Sequence, residues 1–122
     1  MAKWQALIVE DDLPSCEMLA YLLQYHNIEV DIAMNAEQAM LRLGKKSYTC
    51  AIIDLSLPGM NGWALLNHIK DDPNTRYLKC IAVTAYYDPK VGHEATQAGF
   101  VACFGKPLHA ASFVQQLESV LL

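Results

Sequence analysis

Five short apolar runs recur along the chain, with helix-like segments between them. The runs are ALIVE (6–10), IEVDIA (28–33), CAIID (50–54), CIAVTA (80–85) and VACF (101–104). The first, third and fourth runs are apolar at nearly every position, which is typical of strands buried on both faces of a parallel sheet. The second run alternates between apolar and acidic residues, which suits a half-exposed edge strand. We therefore expect strands 1, 3 and 4 to form the interior of the sheet.

The segments between these runs have apolar residues at helical spacing. They cover residues 15–25, 36–43, 63–70, 91–98 and 110–122. We expect their Met and Leu stripes to face the core. Gly44 and Gly99 follow the second and fourth segments, where glycine commonly ends a helix. Five strands alternating with five helices predict a doubly wound (βα)5 domain of the α/β class, with helices on both faces of the sheet.

Length, charge and cysteine spacing limit the function classes. The chain has 122 residues, of which 53% are hydrophobic, so we expect residues 1–122 to form one domain, without an output domain in this chain. A net charge of -4 with scattered basic residues argues against direct nucleic-acid binding. No apolar stretch approaches the roughly 20 residues of a membrane span. Four widely spaced cysteines indicate reduced thiols, and the expected location is the cytoplasm.

Polar residues collect at the carboxyl ends of the predicted strands. In an open parallel sheet, ligands bind outside these ends. The residues there are Glu10, Asp11, Asp12, Asp54, Thr84 and Lys106. Carboxylates held close together repel one another unless a cation compensates them, and oxygen ligands favour a hard divalent ion. Because the set contains no His or Cys, the sequence predicts Mg²⁺ rather than zinc.

A lysine and a threonine at the same edge of the sheet suit a phosphoryl group. Lys106 offers a positive charge to phosphate oxygens, and Thr84 offers a hydroxyl donor. Carboxylates are phosphoryl acceptors in aspartyl-phosphate intermediates. On this interpretation Asp54 is the nucleophile, while the metal and Lys106 neutralise oxygens during the transfer.

The residues EDD at 10–12, DLSLPGMNG from Asp54, Thr84-Ala85 and Lys106-Pro107 together resemble the receiver domain of two-component response regulators. The resemblance covers essentially the whole chain and implies a flavodoxin-like sheet of order 2-1-3-4-5. It implies a phosphorylation-activated signalling switch that is not an enzyme in its own right but assists its own Mg²⁺-dependent phosphorylation and dephosphorylation. The implied partners are a sensor histidine kinase or histidine phosphotransfer protein, and downstream an effector protein or a second copy of the chain.

The resemblance also implies a role for each residue around the metal. Asp54 would be the phosphoacceptor and a metal ligand. Asp11 would bind Mg²⁺ directly, and Glu10 would hold it through water. The backbone carbonyl of Ser56 would complete the protein ligands.

Around the phosphate, the resemblance implies that Thr84 moves to hydrogen-bond the phosphoryl group, assisted by the Ala85 N–H. Lys106 would bridge to the phosphate across a cis bond to Pro107. One family position is filled differently. The family usually has Tyr or Phe where this chain has Cys103, which cannot act as an aromatic switch. Phe104 is a poor substitute, because neighbouring strand residues point to opposite faces.

Two other functions fit part of the pattern. Cys103 keeps open a receiver-like interaction module that does not use phosphate. An aspartyl-phosphate phosphatase is the weaker alternative, because the haloacid-dehalogenase pattern needs an aspartate where this chain has Ser56. The acidic residues also have a structural interpretation, since Asp12 or Ser15 could begin the first helix as its N-cap.

Overall fold

A computed structural model describes residues 4–122 as alternating strands and helices. The strands are β1 (Trp4–Val9), β2 (Ile28–Ala33), β3 (Cys50–Asp54), β4 (Lys79–Thr84) and β5 (Ala102–Gly105). The helices are α1 (Leu13–Tyr25), α2 (Ala36–Lys45), α3 (Gly62–Asp71), α4 (Pro89–Ala98) and α5 (Ala110–Leu121). All strand pairs are parallel, in the order β2-β1-β3-β4-β5. The predicted (βα)5 flavodoxin-like fold is confirmed, including the interior positions of strands 1, 3 and 4.

The sheet is buried on both faces by two separate hydrophobic clusters. Leu7 and Ile53 point into one cluster, which contains residues of α2, α3 and α4. Ile8 and Ile52 point into the other, which contains residues of α1 and α5. This division follows from the period of a strand, whose successive side chains face opposite sides. Because β1, β3 and β4 are held on both faces, the loops at their carboxyl ends start from a rigid base.

Two details of the predicted helices are wrong. Gly44 does not end α2 but lies inside it, since the helix continues to Lys45. The methionines of the predicted stripes are also not core residues, because Met18 is 74% exposed and Met40 is 40% exposed. In α1 the sheet is contacted instead by the stripe that contains Cys16, which leaves Met18 on the outer face of the helix.

Other predicted helix ends are confirmed. Gly99 ends α4 with a positive φ of 124°, a conformation that glycine adopts without the steric cost of a Cβ. Asp12 is the N-cap of α1, and its carboxylate accepts a hydrogen bond from the Ser15 N–H at 3.1 Å. This cap makes α1 begin directly after the acidic residues at the end of β1.

A tyrosine–aspartate hydrogen bond joins the edge strand to the segment that enters β3. The Tyr48 hydroxyl donates to Asp31 Oδ2 at 2.6 Å, and Lys46 Nζ donates to the same oxygen at 3.1 Å. The hydrogen bond from Tyr48 is the main cause that lowers the pKa of Asp31, and Lys46 adds to the effect. The charged form of Asp31 is therefore stabilised in the folded protein.

We expect Tyr48→Phe to lower the free energy of unfolding at neutral pH by about 1 kcal/mol, because it removes a hydrogen bond to a charged acceptor. Since the pKa of Asp31 is lowered by folding, this stabilisation is present above the ordinary pKa and is lost as the pH falls through the folded-state value. Urea unfolding at neutral pH and at a series of pH values below the ordinary pKa of aspartate would measure both effects. Tyr77→Phe is the control, because Tyr77 is 86% exposed. If Tyr48→Phe loses the same free energy of unfolding at neutral and at low pH, the hydrogen bond from Tyr48 to ionised Asp31 is not the cause of the loss.

Candidate phosphorylation site

Two buried carboxylates and a lysine meet at the carboxyl edge of the sheet. Glu10 follows β1, Asp54 ends β3, and Lys106 follows β5. The relative exposures of Glu10 and Asp54 are 4% and 6%. Lys106 Nζ donates to Asp54 Oδ2 at 3.2 Å and also to Glu10 Oε1. The three charged groups are thus in direct contact, although Glu10 and Lys106 are 96 positions apart in sequence.

Asp54 is held in one orientation and kept ionised. Its Oδ1 accepts a hydrogen bond from the Ser56 N–H at 2.9 Å. Burial acts to raise its pKa, but hydrogen bonds from Glu10 and the Ser56 N–H, together with the charge of Lys106, outweigh burial and lower the pKa. At neutral pH Asp54 is therefore an ionised, partly desolvated carboxylate, which is the form that acts as a nucleophile.

Glu10 behaves in the opposite way. Burial, together with the neighbouring Asp54, raises its pKa to about 7 in the absence of metal. For Lys106, burial opposes the charge, but the hydrogen bond to Glu10 and the charge of Asp54 outweigh it and raise the pKa. Such a separation of pKa values between two neighbouring carboxyl groups is typical of functional sites.

The acidic cluster fits a hard divalent cation. Glu10, Asp11 and Asp54 each place a carboxylate oxygen within 4.8 Å of the others. The donors are all oxygens, which is the ligand chemistry that Mg²⁺ prefers. Asp11 is exposed and its backbone N–H donates to Glu10 Oε2 at 3.1 Å. The cluster therefore combines two buried oxygen donors with one at the surface, which is compatible with an ion that retains water ligands.

The remaining predicted residues lie at or just after the ends of β3, β4 and β5. Thr84 is 3% exposed, and its Oγ1 accepts a hydrogen bond from the Tyr86 N–H at 3.1 Å. Its carbonyl accepts from the Lys106 N–H at 2.8 Å, which links the ends of β4 and β5. The Lys106-Pro107 peptide is cis. Ser56 and Ala85 are both exposed, in the loops that follow β3 and β4.

The structure also identifies two features that the sequence analysis missed. One is the ion pair between Glu10 and Lys106, because the sequence interpretation assigned Lys106 to the phosphate alone. The other is Gly62, the first residue of α3, which is packed against the backbone of Asp54 and Leu55. A Cβ at residue 62 would lie 2.5 Å from the Asp54 carbonyl oxygen and 2.8 Å from Leu55 Cα. The Pro-Gly-rich turn was the available signal, but it does not reveal which glycine is tightly packed.

We expect Gly62→Ala to lower the free energy of unfolding by about 1–3 kcal/mol, because the new methyl group can be accommodated only if the backbone after Asp54 moves. Thermal or urea unfolding would measure the loss. Gly44→Ala is the matched control, since a Cβ there meets nothing within 4 Å and the residue lies inside α2. The control should be about 0.5–1 kcal/mol more stable than the wild type. Equal stability of Gly62→Ala and the wild type would show that the turn is not constrained by this contact.

Residues 6–118 match the family model of the response regulator receiver domain. The chain belongs to this family. Receiver domains are phosphorylation-activated signalling switches that pair with histidine kinases or phosphotransfer proteins, and the chain is a switch of this class. In open α/β sheets ligands bind outside the carboxyl ends of the strands, and the cluster of Glu10, Asp54 and Lys106 lies at that edge.

Individual relatives are similar over most of this receiver domain. The polar-differentiation response regulator DivK of Brucella anthropi is 25% identical, with 94% of each chain covered. A CheY-like receiver domain protein of Methanospirillum hungatei is 26% identical, with a TM-score of 0.86 and coverage of 96% of this chain and 92% of that one. The receiver domain of a Pseudomonas aeruginosa sensor histidine kinase is 23% identical, with a TM-score of 0.88 and 98% of each chain covered. That structure has a magnesium ion coordinated in its active site cleft.

Several relatives are much longer proteins. The chain spans 49% of the CpxR homologue of Haemophilus influenzae and 16% of the regulatory protein RpfC of Xanthomonas campestris.

Among residues 4–122, no helix is long and apolar enough to cross a membrane.

Proposed function

We propose that Asp54 accepts a phosphoryl group from a phosphorylated histidine of a sensor kinase or phosphotransfer protein, in a Mg²⁺-dependent reaction. The main support is the contact of Lys106 with both Asp54 and Glu10 at the carboxyl edge of the sheet. An ionised carboxylate fixed beside a cation suits in-line attack on phosphorus, since phosphoryl transfer depends mainly on positioning and charge compensation. The oxygen–phosphorus bond forms as the phosphorus–nitrogen bond to the donor imidazole breaks.

Each neighbouring residue then has a defined role. Lys106 Nζ lies 3.2 Å from Asp54 Oδ2, so a phosphoryl group on this carboxylate comes within reach of the ammonium group. Thr84 uses its Oγ1 as an acceptor from the Tyr86 N–H, which leaves its hydroxyl proton available for a phosphoryl oxygen. The Ala85 N–H is the second proposed donor to the phosphoryl group.

The proposed metal ligands are Asp11, Asp54 and the Ser56 carbonyl, with Glu10 acting through water. When bound, Mg²⁺ supplies positive charge to the oxygens of the transferring group. Glu10 also has a role without metal, because it pairs with Lys106 and keeps this side chain at the site. By the same contacts, we propose that the domain assists its own phosphorylation and dephosphorylation without being an enzyme that acts on other substrates.

The phosphodonor has an apolar surface available beside the site. A groove of about 810 Å³ between α1 and α5 is open at the site, where it is lined by Glu10 and Lys106. Along α1 the groove is lined by Met18, Tyr21 and Tyr25, which are 74%, 74% and 77% exposed. We propose that a helix of the kinase or phosphotransfer protein docks here and presents its histidine to Asp54, since apolar helix faces bind in grooves of this kind.

We further propose that residues 1–122 act as a single receiver domain in the cytoplasm. The free thiols of the cysteines, three of them buried, suit a reducing compartment. The downstream partner is an effector protein or a second copy of the chain, which recognises the conformation favoured by phosphorylation.

Wild-type protein incubated with acetyl phosphate and Mg²⁺, and then weighed intact by mass spectrometry, tests this function. We expect one phosphoryl group per chain with Mg²⁺ and far less when the metal is chelated. Absence of an adduct in the presence of metal would favour the interaction module that does not use phosphate. Sustained hydrolysis of unrelated phosphate esters would favour an enzyme.

A further inference from the structure

Tyr87 is 47% exposed, and its side chain lies next to two glycines, Gly92 in α4 and Gly105 at the end of β5. A Cβ at residue 92 would lie 3.0 Å from Cε2 and from the hydroxyl oxygen of the Tyr87 ring. A Cβ at residue 105 would lie 2.9 Å from Tyr87 Cβ. The absence of side chains at Gly92 and Gly105 is therefore what makes room for this tyrosine.

Tyr87 is placed where it can affect the orientation of α4. Asp88 is the N-cap of α4 and accepts a hydrogen bond from the Val91 N–H. Tyr87 directly precedes this cap, and Gly92 is the fourth residue of the helix. In many helices apolar side chains at these two positions pack together and fix the angle at which the chain enters the helix. Here the Tyr87 ring packs against a glycine at the second position. The ring of Tyr87 thus sets the orientation of α4 relative to the loop before it.

The same loop starts at Thr84, which contacts the site. The Tyr86 N–H donates to Thr84 Oγ1, and the Lys106 N–H donates to the Thr84 carbonyl. Thr84 is also the strand partner of Gly105, the residue against which Tyr87 Cβ is packed. A movement of the Thr84 hydroxyl toward a phosphoryl group would remove the acceptor of the Tyr86 N–H and so displace the loop that contains Tyr87.

Neither Cys103 nor Phe104 of β5 provides an aromatic ring between the loop after Thr84 and α4. Cys103 is half-buried in the cluster with α2, α3 and α4. Phe104 points to the opposite face, where its ring packs edge-on against Phe113 at 5.2 Å between centroids. This orientation agrees with the sequence prediction that Phe104 is a poor substitute for an aromatic residue at position 103. Tyr87 is the ring that joins the loop after Thr84 to both α4 and β5.

We propose that Tyr87 is a positioning residue that transmits phosphorylation of Asp54 to α4 and β5. The proposal rests on the proposed function, because the displacement starts when Thr84 turns toward the phosphoryl group. Because the side chain lies next to Gly92 and Gly105, a displacement of the loop changes its packing against both. The expected consequence is a change in the orientation of α4 relative to β5 on the surface that a downstream partner would contact.

Amide NMR spectra with and without beryllofluoride and Mg²⁺, a stable mimic of the phosphorylated state, test this role. In the wild type we expect shifts around Asp54 and across α4. Tyr87→Ala should keep the shifts around Asp54 and lose those across α4, whereas Tyr87→Phe should keep both because the ring remains. Tyr86→Ala is the matched control, since Tyr86 is 76% exposed in the same loop and should respond like the wild type.

A second experiment does not depend on the behaviour of Tyr87→Ala alone. Gly92→Ala pushes the ring with its new methyl group and should shift α4 resonances in the unmodified protein. Adding Tyr87→Ala should remove the part of that shift that lies away from position 92, because the clashing ring is gone. The role of Tyr87 would be overturned if Tyr86→Ala lost the α4 shifts induced by beryllofluoride, or if Tyr87→Ala kept them in full. Either result would leave the proposed function intact. No response at Asp54 in the wild type would overturn the proposed function together with this relay.

Discussion

Asp54→Asn is expected to take up no phosphoryl group from acetyl phosphate under conditions in which the wild type takes up one. The amide is not a nucleophile of comparable strength, and it removes the negative charge next to Lys106. The substitution should not disturb the turn after β3, because the amide oxygen can still accept the hydrogen bond that Asp54 Oδ1 receives from the Ser56 N–H. Intact mass spectrometry after equal incubation measures the difference.

Asp12→Asn is the matched control for this experiment. Asp12 is an exposed aspartate whose carboxylate caps α1, and asparagine is an equally good N-cap. The control should therefore be phosphorylated like the wild type. A phosphoryl adduct of equal amount on Asp54→Asn would place the acceptor at another residue and contradict the role given to Asp54.

Asp11→Ala should weaken Mg²⁺ binding at least tenfold, by analogy with the roughly 10–100-fold losses seen when metal sites lose a supporting partner. Asp11 belongs to the cluster whose carboxylate oxygens lie within 4.8 Å of one another. It is also the exposed member, so its removal leaves the buried contacts of Glu10 and Asp54 with Lys106 in place. Calorimetric titration with Mg²⁺ measures the affinity directly.

Asp12→Ala separates loss of a metal ligand from damage to the neighbouring helix. It removes the N-cap of α1 and should lower the midpoint of thermal unfolding, but its Mg²⁺ affinity should match that of the wild type. If the Mg²⁺ affinity fell equally in Asp11→Ala and Asp12→Ala, metal binding would depend on the conformation of the segment between β1 and α1 and not on a ligand at Asp11. An unchanged affinity in Asp11→Ala would overturn the metal assignment.

The fold was largely predictable because its main signals are local. A strand buried on both faces must be apolar at almost every position, which is the pattern of β3 (CAIID). The end of α4 was predictable for the same reason, since Gly99 adopts a positive φ. Gly44 misled the prediction because glycine is also tolerated inside a helix, at a cost of about 1 kcal/mol. The prediction that Met18 faces the core was wrong because an apolar residue can also face a groove at the surface.

The sequence predicted which residues belong to the candidate site, but not which of their side chains are in contact. A parallel sheet puts the carboxyl ends of β1, β3 and β5 at one edge, so Glu10, Asp54 and Lys106 were expected at the same edge. Which pairs touch depends on side-chain orientation and burial, and the Glu10–Lys106 contact has no local signal. The same holds for Tyr87, because its fit depends on glycines on two other elements, Gly92 and Gly105.

The most direct test of phosphorylation at Asp54 is to locate the modified residue in the phosphorylated wild-type protein. Borohydride reduces an aspartyl phosphate to homoserine, and peptide fragmentation then identifies the converted position. We expect homoserine at position 54 alone, only after incubation with phosphodonor and Mg²⁺. Homoserine at position 11 or 12, or no conversion at position 54 in a protein that has gained a phosphoryl group, would contradict Asp54 as the acceptor.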